Sequence, residues 1–293
     1  KSGGTPLVVA DGAKILGVRQ QSYIILDGFS LQTNGGTAMA GMTVGGTDGL
    51  TPGPHPTHHV IIRNCTINGG SAVNSGTDNA DGIRINSASD VLIQRNRIFN
   101  FRQVSDYANT AATKAYHTTA ITYENNEVYD STAGIYDKSG GVGNVFRYND
   151  VHDVAYGIHV TTNSYRHLNG AIYHNLVRNA RHMAIDVASE VAGVPYLSTD
   201  WAIFNNTVYS ATAASGHAVF IGGVGIQAGL TGYAFYNNVT QQAGTDYGGS
   251  NVRTSLDETS GLVSFDYNNY TDQMSVRLVV GGSGTNYTDL VSL

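Results

Sequence analysis

A single cysteine, Cys65, stands in 293 residues, which excludes an internal disulfide framework and any cysteine-rich metal site. Standing in an inward column of the repeat, it reads as a small buried hydrophobe rather than a reactive thiol. Proline occurs only 5 times and charged residues make up 13%, so long solvated helices with charged faces are not expected. No basic run is present and the formal net charge is −6, which argues against a nucleic-acid partner. No apolar stretch approaches the roughly 20 residues that span a bilayer, so no membrane partner is expected. No signal peptide opens the chain, and Lys1-Ser2-Gly3-Gly4 reads as a processed or trimmed start.

What is abundant points to short strands and tight turns. There are 36 glycines and 18 tyrosines, and tyrosine outnumbers phenylalanine and tryptophan together. Aromatic and β-branched residues suit strands, whereas glycine, asparagine and serine suit turns. The fold class expected is all-β.

One pattern recurs along most of the chain: apolar, x, apolar, x, x, Asn, x, apolar. Clear copies are Val91–Ile98, Ile121–Val128, Val145–Val151, Ala171–Val177 and Ala202–Val208. Alignment puts Phe29, Cys65, Asn96, Asn126, Asn149, Asn175, Asn206, Asn238 and Asn269 in one column, at offsets of 36, 31, 30, 23, 26, 31, 32 and 31. A constant core with variable spacing means loops inserted into a fixed coil. An asparagine repeated once per coil can stack through its amide along the axis, and its tolerance of the left-handed region suits a sharp bend.

A second strand follows most copies: Asp81–Ile85, Ala133–Tyr136, Tyr156–Val160, Met183–Val187 and Ala218–Ile221, with Gly41–Val44 earlier. Each alternates apolar and variable residues, the period of a strand with one buried face. Leucine-rich repeats are shorter, and propellers usually carry recurrent tryptophan where this chain has one. The expectation is a right-handed parallel β-helix of roughly nine to ten coils, one domain over 1–293. Loops are expected near 45–58, 101–118, 161–169 and 188–199, with a C-terminal apolar strand segment at 273–293.

The rungs, especially Ser22–Leu31 and the Asn-Asn-x-Val/Ile copies, resemble the pectin-lyase-like superfamily of right-handed parallel β-helix proteins over roughly residues 7 to 272. That resemblance implies an extracellular or cell-surface location and a polysaccharide partner. It covers lyases, hydrolases, epimerases, phage tailspikes and noncatalytic surface proteins, so it names no reaction. Asn79-Ala80-Asp81-Gly82 resembles the Asn-Thr-Asp-Gly segment of polygalacturonases, but their Asp-Asp, Gly-His-Gly and Arg-Ile-Lys motifs are absent. Tyr156-Gly157-Ile158-His159 resembles the Tyr-Gly-x-Asp-Pro-His segment of mannuronan epimerases, without the aspartate and proline.

Equivalent outward positions on successive coils stack about 4.8 Å apart, so distant residues form one surface column. With the isoleucines and valines of the second strand inward, the outward column reads Thr43, Arg84, Tyr136, His159, Asp186, Phe220, with one irregular coil after Arg84. Such polar residues are ordinarily solvated, or pair to stabilise the sheet. As a group they also suit β-elimination on a uronate: Arg84 or Lys138 neutralises the carboxylate, His159 is the base, Tyr136 the acid, and Asp186 orients His159.

The 101–118 loop, with Lys114, Tyr116 and His117, and the 161–169 loop, with Tyr165, Arg166 and His167, are the expected substrate-binding walls. No cofactor is required by any motif. Ca²⁺ is the ion that Asp78, Asp81 and Asp137 would serve if loops brought them together. The expected function is an acidic-polysaccharide lyase. The alternative is a noncatalytic adhesive β-helix or carbohydrate-binding spike, associating as a homo-oligomer through uncapped ends.

Overall fold

The computed structural model describes residues 7–10, 15–33, 40–46, 56–74, 80–106, 109–162, 165–189, 199–210, 217–223, 232–242, 252–254, 263–266, 268–271, 276–280 and 283–287. The expected loops at 45–58 and 188–199 lie mostly outside them. Among the described residues every regular element is a strand, and the chain is an all-β right-handed parallel β-helix. One sheet runs through nine successive coils, from Ser22–Asp27 to Val263–Asp266. The larger sheet takes the two remaining arms of each coil, which fuse into single long strands at Glu127–Lys138 and Asp150–Thr162.

Alternation along each strand sends one set of side chains into the coil. In Ala88–Gln94 the inward Val91 and Ile93 are buried beside half-buried Leu92 and Gln94. Register then stacks like on like, as in Met42, Ile83, Thr113, Ile135, Ile158, Ile185 and Val219. These columns form one continuous apolar core down the axis. It is the main source of stability in a fold with so little charge.

The asparagine column is a hydrogen-bonded ladder. Asn96 donates from both its backbone N and Nδ2 to Asn126 Oδ1, each at 3.0 Å, and Nδ2 also donates to the Ile62 carbonyl. The same pattern repeats through Asn126, Asn149, Asn175, Asn206 and Asn238. Two expectations are corrected here. The ladder ends on Asn268, which accepts from Asn238, and not on Asn269. The left-handed bend falls one residue earlier, at Asn64, Arg95, Asn125, Tyr148, His174, Asn205 and Asn237, all with φ between 53° and 57°. The ladder asparagines satisfy the backbone of the bend, and their neighbours take its strain.

A third correction concerns 101–118. Ala111–Tyr116 is a regular strand that pairs with Asp81–Asn86 on one side and Glu127–Lys138 on the other. Its alanines gave no apolar alternation to read in sequence. Of the expected loop, the described residues outside regular strands are 101–106, 109–110 and 117. At the far end, Val276–Val280 turns back on Ser283–Tyr287 as an antiparallel pair within the expected 273–293 segment.

Candidate functional site

Register fixes the outward column as Thr43, Arg84, Lys114, Tyr136, His159, Asp186 and Phe220. Lys114 occupies the coil that looked irregular, so five chemistry-bearing side chains stand on consecutive rungs. The column is not washed by solvent. Lys114 is fully buried, Tyr136 and Asp186 are 3% and 4% exposed, and Arg84 and His159 each expose 12% of the side chain.

One end is cationic. Lys114 Nζ lies 3.1 Å from Asp81 Oδ1, and Arg84 Nε lies 3.5 Å from Asp81 Oδ2. Asp81 also accepts from the Ala111 amide at 3.2 Å. The Lys114 and Lys138 ammonium groups stand 5.5 and 5.4 Å from the Tyr136 ring centre, an arrangement in which the ring quadrupole attracts both. Lys138 Nζ donates to Asn109 Oδ1 at 2.7 Å. Burial pulls Lys114 down to a pKa of about 8; Asp81 opposes this, and the charges of Arg84 and Lys138 add to it.

The other end is a histidine and a carboxylate. His159 Nδ1 is 2.7 Å from Asp186 Oδ2. Rings crowd round this histidine, with the Tyr136 ring centre 4.4 Å away and that of Tyr156 4.7 Å away. Tyr156 in turn lies 5.3 Å from the His182 ring. Asp106 reaches across from the 101–110 excursion to pair with Arg181 at 2.8 and 3.1 Å, and with His182 Nε2 at 3.4 Å. Hydrogen bonding from Arg181 holds the Asp106 carboxyl below the usual carboxylate range. Asp106 follows Arg97–Phe99 and Arg181 follows Leu176–Arg178, three coils on, so the pair links distant coils beside the column.

The expected wall residues divide. Tyr116 stands two positions beyond Lys114, with the Arg84 guanidinium 5.6 Å over its ring. His117 packs edge-on against Tyr165, with 4.3 Å between ring centres, and Tyr165 and Arg166 are exposed. Burial, with the charge of His167 second, pulls His117 below the usual histidine pKa. His167 is corrected outright: it is fully buried, with its Nδ1 3.6 Å from Asp137 Oδ2. Asp137 is also inward, while Asp81 is engaged with cations on the outer side. Those two carboxylates do not converge, Asp78 lies outside the described residues, and the described residues contain no metal-holding cluster of three such side chains. Sequence reasoning missed Asp81 as a cation partner, together with Tyr156, His182, Asp106 and Asn109. Tyr156 had a misleading signal: it lies three residues before His159, where strict alternation would face it inward, and the strand breaks that alternation between the two.

A second outward column, Tyr173, Phe204 and Tyr236, stacks ring on ring at 4.8 and 5.0 Å. Because each ring covers the face of the next, only edges are offered outward, which suits a stabilising ladder better than a sugar platform.

No family model matches the sequence, and no curated protein matches it. Among solved structures, the endo-xylogalacturonan hydrolase of Aspergillus tubingensis superposes with a TM-score of 0.59 at 11% identity, covering 94% of this chain and 88% of that one. The two chains share the right-handed parallel β-helix fold. A tailspike protein of an E. coli bacteriophage, solved with a pentasaccharide, gives 0.46 at 12% identity, covering 96% of this chain and 59% of that one. An alginate lyase from Paenibacillus gives 0.40 at 10%, covering 90% and 97%. At these identities the likeness of this chain to its neighbours is one of fold.

Proposed function

We propose that the chain is an extracellular protein that binds acidic polysaccharide and cleaves it by β-elimination. The carrying observation is the column itself, with cations at Arg84, Lys114 and Lys138 at one end and the His159–Asp186 contact at the other. A uronate lying along the axis with its C5 hydrogen near His159 would set its carboxylate toward Lys138, one rung away, with Arg84 further along the axis to face a neighbouring uronate. A proton on Nδ1, the nitrogen that faces Asp186 at 2.7 Å, would leave His159 Nε2 as the accepting nitrogen. His159 takes the C5 proton, the released pair forms the C4–C5 double bond, the C4–oxygen bond breaks, and the leaving oxygen takes a proton from a phenol. Tyr136 was the expected donor, but it is almost sealed. Tyr156 lies at a similar distance from His159 and is only half-buried, so we assign the donation to Tyr156 and the holding of the two ammonium groups to Tyr136.

The named activity of the xylogalacturonan hydrolase on a shared fold supports a glycan as partner. A noncatalytic glycan-binding spike is the second reading, favoured by the burial of Lys114, Tyr136 and Asp186. Incubation with pectate, alginate and glycosaminoglycans, followed by the ultraviolet absorbance of unsaturated uronates, separates the two. Absorbance that rises with the parent protein and not with His159→Ala supports cleavage. Binding of the same polymers with no absorbance change supports the spike.

A further inference from the structure

Inside the coil, one carboxylate interrupts an otherwise apolar column. Register stacks Val44, Ile85, Ala115, Asp137, Val160, Val187 and Ile221, and Asp137 has no exposed surface. An isolated carboxylate is among the costliest groups to bury, so its partners matter. Asn144 Nδ2 donates to Asp137 Oδ2 at 2.7 Å and to Thr118 Oγ1 at 2.9 Å, while Asn144 Oδ1 accepts from the Ile121 amide. His167 Nδ1 faces the same Asp137 oxygen at 3.6 Å.

On its far side His167 Nε2 is 2.8 Å from the Thr161 carbonyl and 3.3 Å from the Gly140 amide. Backbone from two coils thus holds the ring on one side while Asp137 faces it on the other, so the histidine and the carboxylate form a buried pair. The other titratable groups facing it are His117, which the His167 charge affects, and Tyr123, whose hydroxyl burial pushes well up, with the Asp137 charge second. A methyl group on Gly141 would lie 2.5 Å from Asn144 Nδ2, 2.7 Å from His167 Nδ1 and 2.8 Å from Asp137 Oδ2, so the pair fits against bare backbone.

Asp137 sits between Tyr136 and Lys138, whose side chains leave the opposite face of the strand. We propose that Asp137 and His167 are positioning residues that hold Tyr136 and Lys138 in place from within the coil. The catalytic consequence rests on the β-elimination reading, but the pairing does not. Nuclear magnetic resonance on the full chain tests it, comparing the parent with Asp137→Asn, His167→Gln and the inward control Ile93→Val. The expected result is a displaced His167 ring-nitrogen signal in Asp137→Asn, and displaced Tyr136 ring signals in both pair variants but not in the control. His167 nitrogen signals unmoved by Asp137→Asn, or Tyr136 signals unmoved by either pair variant, overturn the proposal. If Asp137→Asn fails to fold, His167→Gln alone decides. Where a uronate polymer is cleaved, the pair variants should lose kcat on the order of tenfold with KM changed less than about twofold. Absence of cleavage in the parent defeats the lyase reading and leaves the resonance result standing.

Discussion

Lys114 Nζ and Asp81 Oδ1 meet at 3.1 Å with both side chains sealed from solvent, so a buried cation on one coil is balanced by a buried carboxylate on the coil before it. Breaking such a pair from one side leaves a buried charge uncompensated, at a cost of about 3–5 kcal/mol. Asp81→Asn should therefore lower the denaturant midpoint sharply without changing the slope, as measured in urea titrations.

The same lysine predicts a pH dependence of stability. Its folded pKa is about 8 against an ordinary 10.5, so between those values the unfolded chain binds more protons than the folded one. Stability from this group rises as pH climbs through that window and is flat below it. Melting temperatures of the parent and Lys114→Met, compared across the window, should diverge in favour of the parent as pH increases.

His159 and Asp186 should behave as a unit. Asp186→Asn preserves shape but removes the acceptor that fixes the imidazole, and the loss of a positioned general base is worth roughly 10²- to 10⁴-fold. Unsaturated-uronate formation by Asp186→Asn and His159→Ala should fall by similar factors, and the double variant should be scarcely worse than either.

Asp106 is partly exposed, so its pair with Arg181 should add little to global stability. Its work is local. Asp106→Ala should leave the melting temperature nearly unchanged while making 101–110 the preferred site of limited proteolysis. Because the Asp106 pKa is lowered, the parent should show the same loosening on acidification through its carboxyl pKa, and the variant should not.

Asn149→Ala in mid-ladder removes the acceptor of two Asn126 donors and the donor to the Tyr123 carbonyl. At about 1–3 kcal/mol for a buried polar group left unsatisfied, the effect should exceed that of an inward Ile→Val change. Urea midpoints of Asn149→Ala and Ile93→Val make the comparison.

The coil was legible because its signal repeats: Asn96, Asn126 and Asn149 are each ambiguous, but together they set a register. From that register Arg84, Tyr136, His159 and Asp186 could be stacked correctly. Lys114 could not be stacked, because Ala111, Ala112 and Ala115 offer no contrast between faces. The inward turn of His167 was equally hidden, since its partner Asp137 stands where its neighbours are valine, isoleucine and alanine. The pair Asp106 and Arg181, 75 residues apart, depends on where an excursion lands, which no local pattern encodes.

The asparagine ladder makes the two ends of the coil unequal. Each rung sends two donors toward the C-terminal side and receives them on a single amide oxygen. A coil cut on its C-terminal side presents a face of N–H donors, whereas one cut on its N-terminal side presents an amide oxygen, so the two cut ends accept partners of opposite polarity and a growing coil acquires each new rung as a lid on the one before.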